Sequence, residues 1–382
     1  MNRPALSLIL CSRNDKYMGN SIWRLQTTLN YVAQRVAELS REEEVEVLVA
    51  DWGSDIPLYE VLELTPAAAR IVSFIKVPPE IARVLQKDSP FAEVLALNAA
   101  ARRADGEYIG RIDQDTLVGR RFLEFFFELY ESRQQLAVPL TSALLFANQR
   151  MVPYRFMVHC PSLWVVEKYI GLFNRLFQIE ASARTKYYNH GVGIWLAHKN
   201  LWYESGGYDE RMIYMNAMEI NLIARLMKKH PLVNLGELVN YDFYHIEHYH
   251  PLAHRSSSTH RKVNHESLYA KDDILKLNGP DWGLFKYAFE ILPYSSPENP
   301  VYADTLSHAS FKWLFFILLL VSSGLQIAAD EFIKPIRIGC VVWNRRAHIA
   351  WETVRGHRFV NWPGILAGLW ERRKRDYRGK RR

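Results

Sequence analysis

Ala104-Asp105-Gly106-Glu107-Tyr108-Ile109-Gly110-Arg111-Ile112-Asp113-Gln114-Asp115 is the stretch whose reading decides the fold. Gly106 supplies a turn, and Tyr108, Ile109 and Ile112 supply the apolar character of a short buried strand. Asp113 and Asp115 then stand where that strand emerges. Residues two apart on an extended chain face the same way, so the two carboxylates share a side. They repel unless a cation lies between them, and hard divalent ions take oxygen ligands of this kind. An isolated D-x-D is more often a solvated turn, so the surrounding sequence has to decide.

Upstream, Leu6 to Cys11 is an apolar run broken only by Ser7 and reads as a buried strand, followed by the polar loop Ser12-Arg13-Asn14-Asp15. Ile22, Leu25, Leu29, Val32 and Val36 have helical spacing within Ser21 to Val36. Val45 to Ala50 is a second strand, ending at Asp51-Trp52-Gly53-Ser54-Asp55, and Ile71 to Val77 is a third, closed by Pro78 and Pro79. Phe91 to Ala104 reads as a helix with Asn98 in its middle, Phe122 to Tyr130 as another, and Leu136 to Phe146 as a strand. The alternation of strands and helices argues for an α/β fold, an open sheet with helices on both faces. Ligands of such sheets bind outside the carboxyl ends of the strands, where Cys11–Asp15, Asp51–Asp55 and Asp113–Asp115 fall.

Downstream, Met151 to Arg184 is aromatic and mixed, with the look of a helical insertion. Val192 to Ala197 reads as a strand, Ser205 to Glu210 as a turn, Glu219 to Lys229 as a helix with Lys228, Lys229 and His230 suiting its C-terminal dipole, and Leu235 to Tyr249 as a strand carrying histidines.

Composition is compatible with this plan. The 382 residues are 49% hydrophobic and 23% charged, a globular balance. Three cysteines, Cys11, Cys160 and Cys340, show no zinc or disulfide spacing, which favours a reducing compartment. No signal peptide is expected, since the N-terminus runs directly into a strand. The formal net charge is +7, much of it in the basic tail Glu371–Arg382. No recognition motif accompanies that tail, so nucleic acid is not expected as a partner. Trp313 to Ala329 is a run of 17 uncharged residues, slightly short for a spanning helix, and Trp343, Trp351, Trp362 and Trp370 follow among Arg and His. Residues 251–382 are therefore expected to form a C-terminal helical region associated with a membrane, peripherally or as a re-entrant piece, after a catalytic domain at 1–250.

The order of these motifs resembles the GT-A, family 2-like glycosyltransferases, from Leu6 to about His250. The pieces are Leu6–Asn14, Val47–Asp55, Asn98 with Ala104–Ile109, Asp113-Gln114-Asp115, Gly206–Glu210 and Glu219–Leu226. The resemblance implies a GT-A open mixed sheet and an inverting, metal-dependent hexosyl transfer from a nucleotide-diphosphate sugar, a UDP-sugar, to a glycan or lipid-linked acceptor, which the C-terminal region would bring to the cytoplasmic face of a membrane. It implies Ser12, Asn14, Asp51, Asn98 and Asp113 at the donor, and Gly206, Gly207, Asp209 and Glu210 on the acceptor side. Asp115 and Asp113, with His245 or alternatively His248, would hold Mn²⁺ or Mg²⁺, and Glu219 would be the general base. Two positions depart from the pattern. Trp52 replaces a second acid after Asp51 and is placed to stack on a ring. Met218 replaces an acid before Glu219. These departures leave a catalytically silent membrane scaffold as the alternative.

Each assignment has a plainer reading. Asp51 suits a turn of the D-W-G-S type, Asn98 a capping amide, Glu219 a helix N-terminus, and the histidines of Tyr244–His250 a strand edge. The oligomeric state is not legible.

Overall fold

The computed structural model describes residues 3–17, 19–132, 138–153, 160–177, 194–214, 217–248, 264–265, 268, 275–294, 299–304 and 309–321. The chain forms two compact units, Met1–Lys312 and Trp313–Arg382.

The first unit is built on an eight-stranded mixed sheet. In chain order its strands and those of a smaller sheet are β1 (Leu6–Ser12), β2 (Val45–Trp52), β3 (Val72–Val77), β4 (Tyr108–Arg111), β5 (Thr116–Val118), β6 (Leu144–Ala147), β7 (Arg150–Val152), β8 (Ile194–His198), β9 (Leu232–Asn234), β10 (Phe243–Ile246) and β11 (Glu290–Pro293). The large sheet has the order β11-β3-β2-β1-β4-β8-β6-β9, and the small one β5-β10-β7. β3, β2, β1 and β4 run parallel, with Leu6 opposite Val45 on one side and Tyr108 on the other. β8 is antiparallel to β4, and β11 to β3.

Alternation along the central strands builds two apolar layers. Leu6, Leu8 and Leu10 of β1 and Val45, Val47 and Val49 of β2 face one layer. Ile9 of β1 and Leu48, Ala50 and Trp52 of β2 face the other. That period of two is what a sheet covered on both faces requires. On the first face lie Leu25, Leu29, Val32 and Val36 of the helix Ser21–Glu38, and Phe122 and Phe126 of the helix Arg120–Ser132. On the second lie Val94 and Leu97 of the helix Glu93–Arg103, with Trp202 and Leu222.

The parallel strands therefore deliver their carboxyl ends to one edge. There the chain leaves β4 at Arg111, passes through Asp113 and Asp115, and enters β5 in the second sheet. The segment between the two aspartates is the junction of the two sheets.

Three expectations of local structure change. The strand expected over Leu136 to Phe146 is confined to Leu144–Ala147, after a single 3₁₀ turn at Leu140–Ser142. The strand expected over Leu235 to Tyr249 is two elements, a helical turn at Leu235–Leu238 and the strand Phe243–Ile246. Asn240 and Tyr241 both take positive φ, and Tyr241 N–H donates to Gly236 O, so the chain turns between them. Within the expected insertion Met151 to Arg184, Arg150–Val152 forms a strand and Leu163–Phe173 a helix, while 154–159 and 178–193 lie outside the described residues.

β11 pairs Ile291 with Ile75, Trp282 is fully buried in the layer that holds Trp52, and the Tyr294 hydroxyl is bonded to the backbone at Leu62 and Leu64. These contacts bind Trp282, β11 and Tyr294 to the sheet, and the first unit runs to Lys312. In the second unit, 313–321 is helical with Trp313, Leu314, Ile317, Leu318 and Val321 exposed. The remainder of the apolar run, 322–329, and the basic tail lie outside the described residues, as do Tyr249 and His250. Among the described residues no helix is long and apolar enough to cross a membrane.

Candidate functional site

The pairing of β10 with β5 sets His245 opposite Thr116, and Ile246 N–H donates to Asp115 O at 3.0 Å. That register brings the histidine ring beside the second aspartate. His245 Nδ1 lies 3.3 Å from Asp115 Oδ1, and His248 Nε2 lies 3.2 Å from Asp115 Oδ2. One donor atom from each of the three residues lies within 4.8 Å of the others, and all three residues are buried. His245 Nδ1 has no hydrogen-bond partner among the described residues in spite of that approach. Two imidazoles and one carboxylate form a mixed N/O donor set that fits a first-row divalent metal.

Arg24, from the helix Ser21–Glu38, closes this cluster. Its Nη1 is paired with Asp115 Oδ2, and its Nη2 donates to Tyr17 O at 2.7 Å. Burial opposes the charge on Asp115, but His245, His248 and Arg24 together hold its carboxyl far below the usual range. Burial pushes His248 down, with Asp115 opposing.

The second cluster forms at the last residue of β4. Arg111 is buried, and its Nη2 lies 2.6 Å from Asp113 Oδ1, 2.9 Å from Glu93 Oε1 and 3.1 Å from Glu219 Oε1. Glu219 enters from the first turn of the helix Met218–Leu226, which follows Ala217 in the left-handed region. The structure thus brings Asp113 and Glu219 together, from positions more than a hundred residues apart, through an arginine between them. Burial raises Asp113 well above the carboxylate range, Arg111 opposing it. Glu93 is raised by the same cause with the same opposition.

Glu93, Arg111 and Arg24 were not singled out from the sequence. Two of them carried a signal. Arg24 lies on the buried stripe of its helix beside Leu25, and Arg111 ends a strand flanked by Ile9 and Trp195. A charge at a core position wants a partner. Glu93 carried none.

The expected donor residues divide into two groups. Ser12 Oγ donates to Gln114 Oε1 at 2.6 Å, tying the end of β1 to the segment between the aspartates. Asn14 accepts no such role. Its N–H donates to Ser54 Oγ at 2.8 Å and its Nδ2 to Ile56 O at 3.0 Å, which joins the loops after β1 and β2. Asp51 is buried, accepting from the Ser54 hydroxyl and from Leu58 N–H at 2.8 Å, and burial pushes it up to about 6. A cleft opens beside these loops, lined by Arg13, Asn14, Ser54, Asp55, Arg83 and Gln86 among others. Trp52 does not face it. The indole is fully buried and donates to Gln86 Oε1 at 3.0 Å, so no ring can stack there as the sequence had suggested.

Asn98 and the expected acceptor-side turn are joined to one another. Asn98 Nδ2 donates to Tyr208 O at 2.9 Å and to Glu210 Oε1 at 3.2 Å, and its Oδ1 accepts from Tyr208 N–H at 2.8 Å. Gly206 ends the helix Lys199–Ser205 in the left-handed conformation that favours glycine. Asp209 accepts from Arg211 Nε at 2.8 Å, and Glu210 from Gly283 N–H at 2.7 Å. The Tyr208 ring packs against Trp195 and Trp202, which turns this segment into an aromatic wall behind Arg111.

Solved structures similar to this chain are GT-A glycosyltransferases. With S. aureus TarS 1-349 the identity is 15%, covering 63% of this chain and 60% of that one, with a TM-score of 0.35. With the catalytic domain of Drosophila β1,4-galactosyltransferase 7 it is 10%, covering 69% and 78%, TM-score 0.37. With the mannosyltransferase PcManGT of Pyrobaculum calidifontis it is 14%, covering 61% and 55%, TM-score 0.33. The match therefore spans about three fifths of the TarS fragment. TarS is known in complex with UDP and with UDP-GlcNAc, and PcManGT with GDP-Man and Mn²⁺. No family model matches the chain, and no curated protein matches its sequence.

Proposed function

We propose that the protein is an inverting, metal-dependent glycosyltransferase that moves a hexosyl group from a nucleotide-diphosphate donor, a UDP-sugar, to an acceptor hydroxyl. The observation that carries this reading is the convergence, at the carboxyl edge of the parallel strands, of the Asp115–His245–His248 donor set with Asp113 and Glu219 around Arg111.

Asp115, His245 and His248 would hold the ion, and a set with two imidazoles favours Mn²⁺ over Mg²⁺. When bound, such an ion offsets the charge that develops on a departing diphosphate. The cleft beside Asn14 and Ser54 is where the nucleoside would lie, and the Ser12–Gln114 bond ties the end of β1 to the aspartate segment. Asp113 then belongs to the donor side. Glu219, nearly buried, takes the acceptor proton as the acceptor oxygen bonds to the anomeric carbon and the bond from that carbon to the diphosphate breaks on the opposite face. The Trp195, Trp202 and Tyr208 rings keep bulk water from the back of this site.

The acceptor in this reading is a glycan or lipid-linked glycan presented at the cytoplasmic face of a membrane. The exposed apolar residues of 313–321 and the basic tail support that placement. A nucleotide-sugar panel with Mn²⁺, scored as release of nucleoside diphosphate, tests the central step. Glu219→Gln should lose 10²-fold or more in rate, about the contribution of a general base. Undiminished release removes Glu219 from the chemistry.

A catalytically silent scaffold is the second reading, and Arg24 is what favours it. Its guanidinium is paired with Asp115 Oδ2, so the protein itself supplies that carboxylate with a cation. Calorimetry with Mn²⁺ separates the two, because a silent domain closed by Arg24 takes up no ion.

A further inference from the structure

Three carboxylates meet one nitrogen of Arg111, and one nitrogen cannot serve all three equally. Nη2 carries two N–H groups. Glu93 receives a hydrogen bond from it at 2.9 Å, whereas Asp113 at 2.6 Å and Glu219 at 3.1 Å approach it as ion pairs alone. Nε and Nη1 are buried without a partner among the described residues. The guanidinium is thus held at one end, with two unused donors. Turned toward Glu219, either of those nitrogens together with Nη2 would grip its carboxylate in the two-pronged manner that arginine prefers. A carboxylate gripped in that way is stabilised in its ionised form and is a poorer base. The other ionisable groups around Arg111 add no charge to this balance, because burial raises the Cys11 thiol and the Tyr208 phenol and both remain neutral.

We propose that Glu93 is a positioning residue for the transfer step: its hydrogen bond anchors Arg111, so that Glu219 is oriented by the guanidinium without being captured by it. Glu93 acts through Arg111 on Glu219 and need touch neither donor nor acceptor. The proposal rests on the reading of Glu219 as the base.

The test compares the full-length wild type with Glu93→Gln, Glu93→Asp, Glu219→Gln and the double variant Glu93→Gln/Glu219→Gln. The readout is Mn²⁺-supported release of nucleoside diphosphate from the nucleotide-sugar that the wild type turns over, with thermal melting of each variant alongside. Glu93→Gln should lower kcat about tenfold and leave KM for the donor within about twofold, the signature of an effect confined to the transition state. Glu93→Asp, which keeps the charge at shorter reach, should recover part of the loss, and it carries the test if Glu93→Gln does not fold. The double variant should be no slower than Glu219→Gln. A rise in KM with kcat unchanged overturns the proposal, as does a Glu93→Gln loss that persists at full size in the Glu219→Gln background. Wild-type kcat in Glu219→Gln overturns the base reading itself, and is distinguished by needing no Glu93 variant to be seen.

Discussion

Arg24 and Arg111 stand on either side of the Asp113–Asp115 segment and pair with different aspartates. Asp115 goes with Arg24 and the two histidines, Asp113 with Arg111 and the two glutamates. Spacing alone placed both carboxylates on one side of the chain. It could not show that each meets a different cation, because Arg24 arrives from a helix some ninety residues upstream of Asp115. Asp51 illustrates the opposite case, where the plainer reading of a turn residue describes the contacts seen. Its buried carboxyl has a folded pKa of about 6 against an ordinary 3.8. The folded state therefore holds a proton there between about pH 4 and 6 that the unfolded state has released. The associated stability is fully present below pH 3.8 and is lost as pH rises through 6, about 3 kcal/mol in all. Asp51→Asn cannot ionise, so its stability relative to wild type should rise by that order from pH 4 to pH 7. Denaturant unfolding at the two pH values measures it, and a constant difference would contradict the assignment.

At the scale of elements, strands buried on both faces were the most legible. β1, β2 and β3 are largely apolar runs closed by polar loops or proline, and they appear within a residue or two of where the pattern puts them. The histidine-bearing stretch was not legible as a whole. Its hydrophobic content suits a strand from Leu235 onward, yet a turn at two positive-φ residues, Asn240 and Tyr241, resets the chain before β10. Only the register of β10 on β5 then reveals that His245 stands beside Asp115, where His248 joins it. The Gly206–Glu210 turn was readable as a turn, but not as the socket for Asn98. Gly207 has φ +72, and a Cβ there would stand 2.3 Å from Asn98 Oδ1. Gly207→Ala should accordingly destabilise the protein by more than about 1 kcal/mol, from backbone strain and from displacement of the amide. A wild-type unfolding midpoint in that variant would count against the socket.

At the scale of the whole molecule, the sequence showed an α/β sheet with its polar clusters at one edge, and the mixed sheet bears this out. The extent of the first unit was hidden, because what binds 275–304 to it is long-range. β11 pairs with β3 more than two hundred residues upstream, and no local period announces such a strand. A chain ending at Lys312 should keep a cooperative melt near that of the full-length protein, whereas one ending at His250, lacking β11 and Trp282, should not; circular dichroism melts of the two decide it. The functional account depends on one event at the junction of the two sheets, the capture of a divalent ion by Asp115, His245 and His248. The most direct measurement is nucleoside diphosphate release from a nucleotide-sugar panel, with and without Mn²⁺, by wild type and by Asp115→Ala. The account predicts release that requires Mn²⁺ and disappears in the variant. Release that proceeds without the metal, or that survives the loss of Asp115, would contradict it.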